Sequence, residues 1–259
     1  MTKSEIYNVA IAQSAIDLSA RPEDFLSDGN VVVLSKKNPK ARKYLELPFS
    51  SEIVSYGSNA VASVSPEMRD ITEGYLSRYP TEHLFETPHL HVLNSALIER
   101  GHKICFMAEY FLPDHDAVRT AARAAHIPYE IRILDSADFG ELYLPEWSNA
   151  LCEKRRELDM LGVGAYDGGR LIGLAGASAD CETMWQIGID VLPQYRRMGI
   201  AGALTSRLAL EIFERGKVPF YCAAWCNLGS VRNALHSGFR PAWVEMTAKP
   251  IATVDEMNI

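Results

Sequence analysis

Apolar and polar positions along this chain fall into two patterns: short apolar or alternating runs, and stretches in which apolar residues recur every three to four positions. In the first half, VVVLS (31–35) and EIVSYGSNAVASVS (52–65) read as strands. The second is interrupted by Tyr56-Gly57-Ser58-Asn59, a turn or bulge signal. PEMRDITEGYLSRY (66–79) reads as a helix, with Ser65 in the N-cap position and Pro66 opening the first turn. PHLHVLNSALIERG (88–101) opens on proline and closes on Gly101, a second helix. KICFMAEYFL (103–112) is a continuous apolar run, the pattern of a buried strand. DHDAVRTAARAA then reads as helix, and the chain changes character at His126-Ile127-Pro128.

Beyond that point YEIRIL (129–134) predicts a strand. Residues 137–157 read as helical with a break at Pro145. Residues 161–179 form a hairpin around Asp167-Gly168-Gly169, and 183–192 a strand closed by Pro193. In 199–215, Ile200, Leu204, Leu208 and Ile212 recur four apart, one apolar stripe of a helix that Gly216 stops. A strand (218–225), a short helix ending on Gly238 (228–238) and a strand pair or extended tail (239–250) complete the series. The expectation is an α/β chain of two domains: a smaller N-terminal α/β region, 1–126, and a second domain, 127–259.

Composition narrows this little. A 47% hydrophobic chain of 259 residues can bury a sizeable core. The net charge of -7 gives no global basic face, so nucleic acid is not an expected partner. The cluster Lys36-Lys37 with Lys40-Ala41-Arg42-Lys43 reads as a solvated, charged connection. MTKSEIYNVAIAQSAIDLS lacks the apolar core of a signal peptide, and no stretch approaches 18 apolar residues, so no membrane partner is expected. Five scattered cysteines do not form a disulfide framework, which points to a reducing, cytoplasmic setting. Cys222 and Cys226 lack a second ligand pair, and His89 and His91 would lie roughly 200° apart on a helix; no metal is expected.

The chemistry concentrates in QYRRMGIAGAL (194–204), which follows an apolar strand and opens an apolar helix. The first turn of a helix carries backbone N–H groups without intrahelical partners and the positive end of its dipole. Gly199, Ala201 and Gly202 let a ligand approach that backbone, and Arg196 and Arg197 add positive charge. This is an anion site suited to phosphate or pyrophosphate. It is not a Walker loop, since no Lys-Ser/Thr follows the glycines, and it lacks the three spaced glycines of a dinucleotide fingerprint.

Arg196-x-x-Gly199-x-Ala201 resembles the Q/R-x-x-G-x-G/A signature of the GNAT superfamily of acetyl-CoA-dependent N-acyltransferases. A second marker of that family, N-x-x-A/S followed by G-F, is matched by Asn227-Leu228-Gly229-Ser230 and Gly238-Phe239. The order of elements from 129 to 248 is similar too. The resemblance implies a mixed, mainly antiparallel sheet flanked by helices, with acetyl-CoA as acyl donor. In it, backbone amides of Arg197, Met198, Gly199, Ile200, Ala201 and Gly202 cradle the CoA pyrophosphate beside Arg196. Ile189, Asp190 and Val191 pair with the pantetheine arm, and the strand at 218–225 splays away to admit the thioester. Asn227 contacts the pantetheine or a bound water, and Ser230 lies near the cofactor. Gly199 and Gly202 have a plainer reading as close helix–sheet packing, and Asn227 as an N-cap.

One position departs from the pattern. The tyrosine that many family members carry seven residues after the asparagine is Ala234 here. His236 is the alternative acid, with Tyr195 and Tyr221 as further candidates. A carboxylate near the start of the fourth core strand often serves as base; Asp180 and Glu182 occupy that place, and Asp190 follows on the strand. The expected catalytic set is Glu182, Asp190 and His236.

The function this implies is acetyl transfer to a primary amine of a small molecule or a peptide N-terminus, by direct attack in a ternary complex. The alternatives are a non-catalytic acyl-CoA-binding or regulatory module, and a nucleotide-binding protein, which the second marker disfavours. The first half carries no chemical motif. Its layout is similar to antibiotic self-resistance members of the family, which gives it an acceptor-shaping or homodimer-forming role. SYGSNAVASV (55–64) is the stretch in which a cleft-lining loop is expected.

Overall fold

The computed structural model describes residues 1–259. Its helices are α1 (Lys3–Leu18), α2 (Arg69–Arg78), α3 (His89–Ile98), α4 (His115–Ala124), α5 (Ile200–Glu214), α6 (Leu228–His236) and α7 (Ile251–Glu256). Its strands are β1 (Val31–Leu34), β2 (Ser51–Ser55), β3 (Ala60–Val64), β4 (His102–Pro113) and β5 (Glu130–Asp135), followed by β6 (Asp159–Asp167), β7 (Arg170–Ser178), β8 (Met184–Val191), β9 (Val218–Ala223) and β10 (Phe239–Pro250). The chain divides into two units, Met1–Val9 with Phe111–Pro241, and Ala10–Tyr110 with Ala242–Ile259. This partition differs from a boundary at 126/127. Residues 111–126 belong with the second half, and the C-terminal 18 residues belong with the first.

In the unit containing 111–241, the strand order is β9-β8-β7-β6-β5, antiparallel except for β8 beside β9. The β6–β7 hairpin turns through Gly168 (φ 55°) and Gly169 (φ 87°), the left-handed pair a two-residue hairpin turn requires. The stripe of α5 is buried as its spacing predicts. Ile200, Leu204, Leu208 and Ile212 join a core with Val163 and Ala165 of β6 and Ile172 and Ala175 of β7. Burying each such side chain contributes about 1.5–3 kcal/mol. Asp114 caps α4 by accepting from the N–H groups of Asp116 and Ala117, both at 3.2 Å. Gly238 (φ 90°) brings the chain after α6 so close to α4 that a Cβ would overlap the backbone of Val118.

The other unit orders its strands β1-β3-β2-β10-β4. Ile53, Ala62, Val64 and Met246 of this sheet form a core with Leu76 of α2 and Leu93 and Leu97 of α3. A separate buried cluster surrounds Arg42. Its guanidinium lies 3.1 Å from Asp17, 3.5 Å from Glu245 and 5.3 Å from the centre of the Trp243 ring.

Three expectations change. Residues 137–157 form no long helix but three short 3-10 turns, 136–139, 145–147 and 153–158. Gly140 ends the first and Pro145 opens the second, and between the second and third the backbone lies on the sheet. A Cβ at Gly188 would overlap the Asn149 carbonyl, and one at Gly176 the Ala150 carbonyl. The 239–250 segment is a single twelve-residue strand, not a pair. The 103–112 run is only partly buried, with Phe106 exposed. Two helices are additional: α1, whose Ile6, Ala10, Ile11, Ala15 and Leu18 are buried, and the short α7. No helix is long and apolar enough to cross a membrane.

Candidate active site

Strands β8 and β9 run parallel but pair only at Met184–Val218, Trp185–Pro219 and Gln186–Phe220. Beyond Gln186 they part, while β8 stays bonded to β7 from Ser178–Gln186 through Gly173–Val191. At the parting point the Gln186 amide donates to Cys222 Sγ at 3.1 Å. The C-terminal half of β8 therefore presents an unpaired backbone edge to a cleft of about 870 Å³. Ile189, Asp190 and Val191 line it.

The wide end of the cleft is closed by the segment between β8 and α5. After a 3-10 turn at Pro193–Tyr195, Arg197 adopts φ 64° and Gly199 φ 82°. These two left-handed residues, two apart, bend the loop into the first turn of α5. A non-glycine residue held at positive φ is a local cost that tends to persist at functional sites. Gly199 is the N-cap of α5, and no side chain caps this helix. The N–H groups of Ile200, Ala201 and Gly202 thus face the cleft at the positive end of a 15-residue helix.

Close packing does not explain the two glycines. A Cβ at Gly199 would meet only the Ile127 side chain at 3.8 Å, and one at Gly202 only Asn233 and Ser237 at 4.0 Å. Gly199 is required by its φ; Gly202 keeps the first turn open. Arg196 folds back, its Nε donating to the Val191 carbonyl at 3.0 Å, so it fixes the loop to the end of β8. Arg197 and Met198 are exposed; Arg197 lines the cleft, Met198 does not. On the opposite wall, Asn227 caps α6 by accepting from the Ser230 N–H at 3.2 Å.

Of the expected catalytic residues, the structure brings two to the cleft. Asp190 is there, but its carboxylate accepts from the Asn149 N–H (2.8 Å), the Ala150 N–H (3.0 Å) and the Asn149 side-chain amide (2.7 Å). That geometry anchors the 149–150 backbone. His236 lies at the rim, with Nδ1 2.7 Å from the Arg232 carbonyl; the ring then carries its proton on Nδ1 and leaves Nε2 an acceptor when neutral. Glu182 is exposed at the far end of β8, eight residues (roughly 26 Å) from Asp190, and does not line the cleft. Asp180 is buried near Arg155, also away from the cleft. Tyr195 lines the cleft but donates its hydroxyl to Asp167 at 2.9 Å. Ala234 is fully buried in the core, so its position offers nothing to the cleft.

Tyr221, the remaining candidate acid, is placed differently. It stands on β9, buried, lining the cleft, with its hydroxyl 2.7 Å from the Ser230 hydroxyl. Burial pushes its pKa up, although the hydrogen bond to Ser230 opposes the shift, so the phenol keeps its proton. Asn233, held by Thr205 at 3.0 Å, and Ala121, Ala124 and Ala125 at the end of α4 complete the walls. The sequence held a signal for Asn233, which lies on the same face of α6 as Ser230, but none for the α4 alanines.

The sequence model of the GNAT acetyltransferase family matches residues 86–242. Comparison with functionally curated proteins gave no match. Among solved structures, a GCN5-related N-acetyltransferase-like protein from Streptococcus suis is 22% identical, with TM-score 0.46, over 60% of this chain and 67% of that one. A putative GNAT-family acetyltransferase from Novosphingobium aromaticivorans is 21% identical, with TM-score 0.41, over 57% of this chain and 66% of that one. A putative acetyltransferase from Salmonella typhimurium, solved with its cofactor acetyl-CoA, is 18% identical, with TM-score 0.35, over 48% of this chain and 95% of that one. The chain thus spans about two thirds of the length of the first two. With both signature segments on one cleft and the family model covering more than half of its length, this chain belongs to the GNAT acetyltransferase family.

Proposed function

We propose that the cleft binds acetyl-CoA and transfers its acetyl group to a primary amine of a small molecule or a peptide N-terminus, by direct attack in a ternary complex. One observation carries the reading. The unpaired edge of β8 and the uncapped first turn of α5 open onto the same cleft. An extended amide-bearing arm with a pyrophosphate at one end matches that combination; a bare nucleotide has no use for the strand edge. The backbone amides from Arg197 to Gly202 hold the pyrophosphate, with Arg197 beside it. Ile189 to Val191 pair with the pantetheine arm, and Asn227 and Ser230 close over it.

The amine nitrogen attacks the thioester carbon, the carbon–sulfur bond breaks, and the sulfur leaves with the electron pair. Tyr221 donates its proton to that sulfur and recovers one through Ser230; the amine proton passes to water. Asp190 holds the 149–150 segment and is not the base. An acidic chain suits a cationic acceptor. A second reading, a non-catalytic acyl-CoA-binding module, draws on the burial of Ala234 at the family's tyrosine position.

Thermal unfolding with and without acetyl-CoA, paired with thiol release across a panel of amines, tests both. Stabilisation with amine-dependent thiol release is the expected result. Stabilisation without release by any amine supports the second reading. No shift with acetyl-CoA, CoA or longer acyl-CoAs overturns both.

A further inference from the structure

A second constellation lies in the unit containing residues 10–110. His83 ends a 3-10 turn (Thr81–His83), His89 begins α3, and Glu86 lies between them. One ligand atom from each of the three falls within 4.8 Å of the other two. His83 Nδ1 and Glu86 Oε1 are in direct contact. The two imidazole rings stack at 5.4 Å with 29° between planes, and Tyr79 packs against His89 with centroids 4.3 Å apart. His89 Nδ1 is buried and has no hydrogen-bond partner.

We propose that His83, Glu86 and His89 bind a borderline divalent transition-metal ion, zinc foremost. Ligand atoms around tetrahedral zinc lie roughly 3.3 Å apart, given bond lengths near 2.0–2.1 Å. The longer sides of the triangle, at most 4.8 Å, close to that size and the His83–Glu86 side, in direct contact, opens to it by small side-chain rotations. Two imidazoles and one carboxylate suit zinc, cobalt, nickel or copper and disfavour the all-oxygen preference of calcium and magnesium. A simple His83–Glu86 ion pair accounts for one contact. It leaves the buried Nδ1 of His89 without a partner, in a ring that brings one nitrogen within 4.8 Å of the other two ligand atoms. The side chains of His83 and Glu86 are 45% and 49% exposed, so water can take the fourth position. Bound there, the ion ties the turn at 81–83 to the first residue of α3. Local spacing hides the site, because it pairs His89 with His91, on opposite sides of α3, and not with His83 across the loop.

The test uses the full, untagged chain, stripped with a chelator and dialysed. Zinc titration by calorimetry is expected to show one equivalent bound. Cobalt(II) is expected to give the intense visible absorption of a low-coordinate site. His83→Gln and His89→Gln each weaken zinc binding by about tenfold or more. The thermal midpoint rises with zinc in the wild type and not in either variant. Near-UV circular dichroism checks that the variants fold; if the half-buried His89→Gln does not, the exposed His83→Gln decides. Zinc binding that is absent in the wild type, or unchanged in His83→Gln, overturns the proposal.

Discussion

The phenolic oxygen of Tyr221 lies 2.7 Å from the hydroxyl oxygen of Ser230, and both residues line the cleft between β8 and β9. In the proposed reaction this buried phenol, which keeps its proton, is the donor to the leaving thiolate. Tyr221→Phe should lower kcat for thiol release by about a hundredfold, the scale of one general acid, with KM for acetyl-CoA nearly unchanged. Ser230→Ala should fall between the two. Steady-state kinetics decide it; a Tyr221→Phe enzyme with wild-type kcat moves the acid elsewhere.

The two glycines of the anion loop should separate. Gly202→Ala has room and keeps acetyl-CoA binding, whereas Gly199→Ala forces a side chain to φ 82° and costs about 1–2 kcal/mol in stability. Gly202→Glu should abolish the acetyl-CoA shift in thermal unfolding, which reaches about 2.7 kcal/mol at a hundredfold excess over Kd.

Asp190 should behave as an anchor. In Asp190→Asn an amide nitrogen turns toward N–H donors of the 149–150 segment, lowering stability by about 1–3 kcal/mol. KM for the amine should rise, while the acid limb of the kcat/KM pH profile stays. Loss of that limb would instead identify Asp190 as the base.

Burial pushes the Asp159 carboxyl up to about 6, and the nearby Asp180 charge adds to the shift. Its folded pKa therefore exceeds the unfolded value of about 3.9. Between these two values the folded protein holds a proton that the unfolded chain has released. Stability contributed by this group falls as pH rises from about 4 to 6, by at most ~3 kcal/mol, and is level above. Urea unfolding across that window should show a shallower decline in Asp159→Asn.

Arg42 is buried between Asp17 and Glu245. Arg42→Met leaves two carboxylates without their cation and should cost about 3–5 kcal/mol in urea unfolding.

Strong periodicity made most elements legible. The four-residue stripe of α5 and the paired glycines of the β6–β7 turn each fix one local geometry, and both motif segments landed on one cleft. What failed were features set by distant contacts. The 137–157 stretch has helical composition, yet Asp190 and two glycines of the sheet hold its backbone flat. Local pattern also assigned α4 to the first half, although its alanines face the cleft. Glu182 was a candidate base by its place near the start of the fourth core strand, but the strand is long enough to carry it away from the cleft. Tyr221 was one of several candidate acids, and nothing in the sequence ranked it above His236, because a tyrosine in an apolar strand also reads as core.

Gly176 and Gly188 also limit how this chain can diverge. Any substitution at either position adds at least a Cβ where a carbonyl of the 149–150 backbone already lies. The height of that segment above the sheet is therefore closed to gradual mutation. Change at either glycine would have to be accompanied by movement of the 149–150 backbone, so these sites and that segment are constrained to change together.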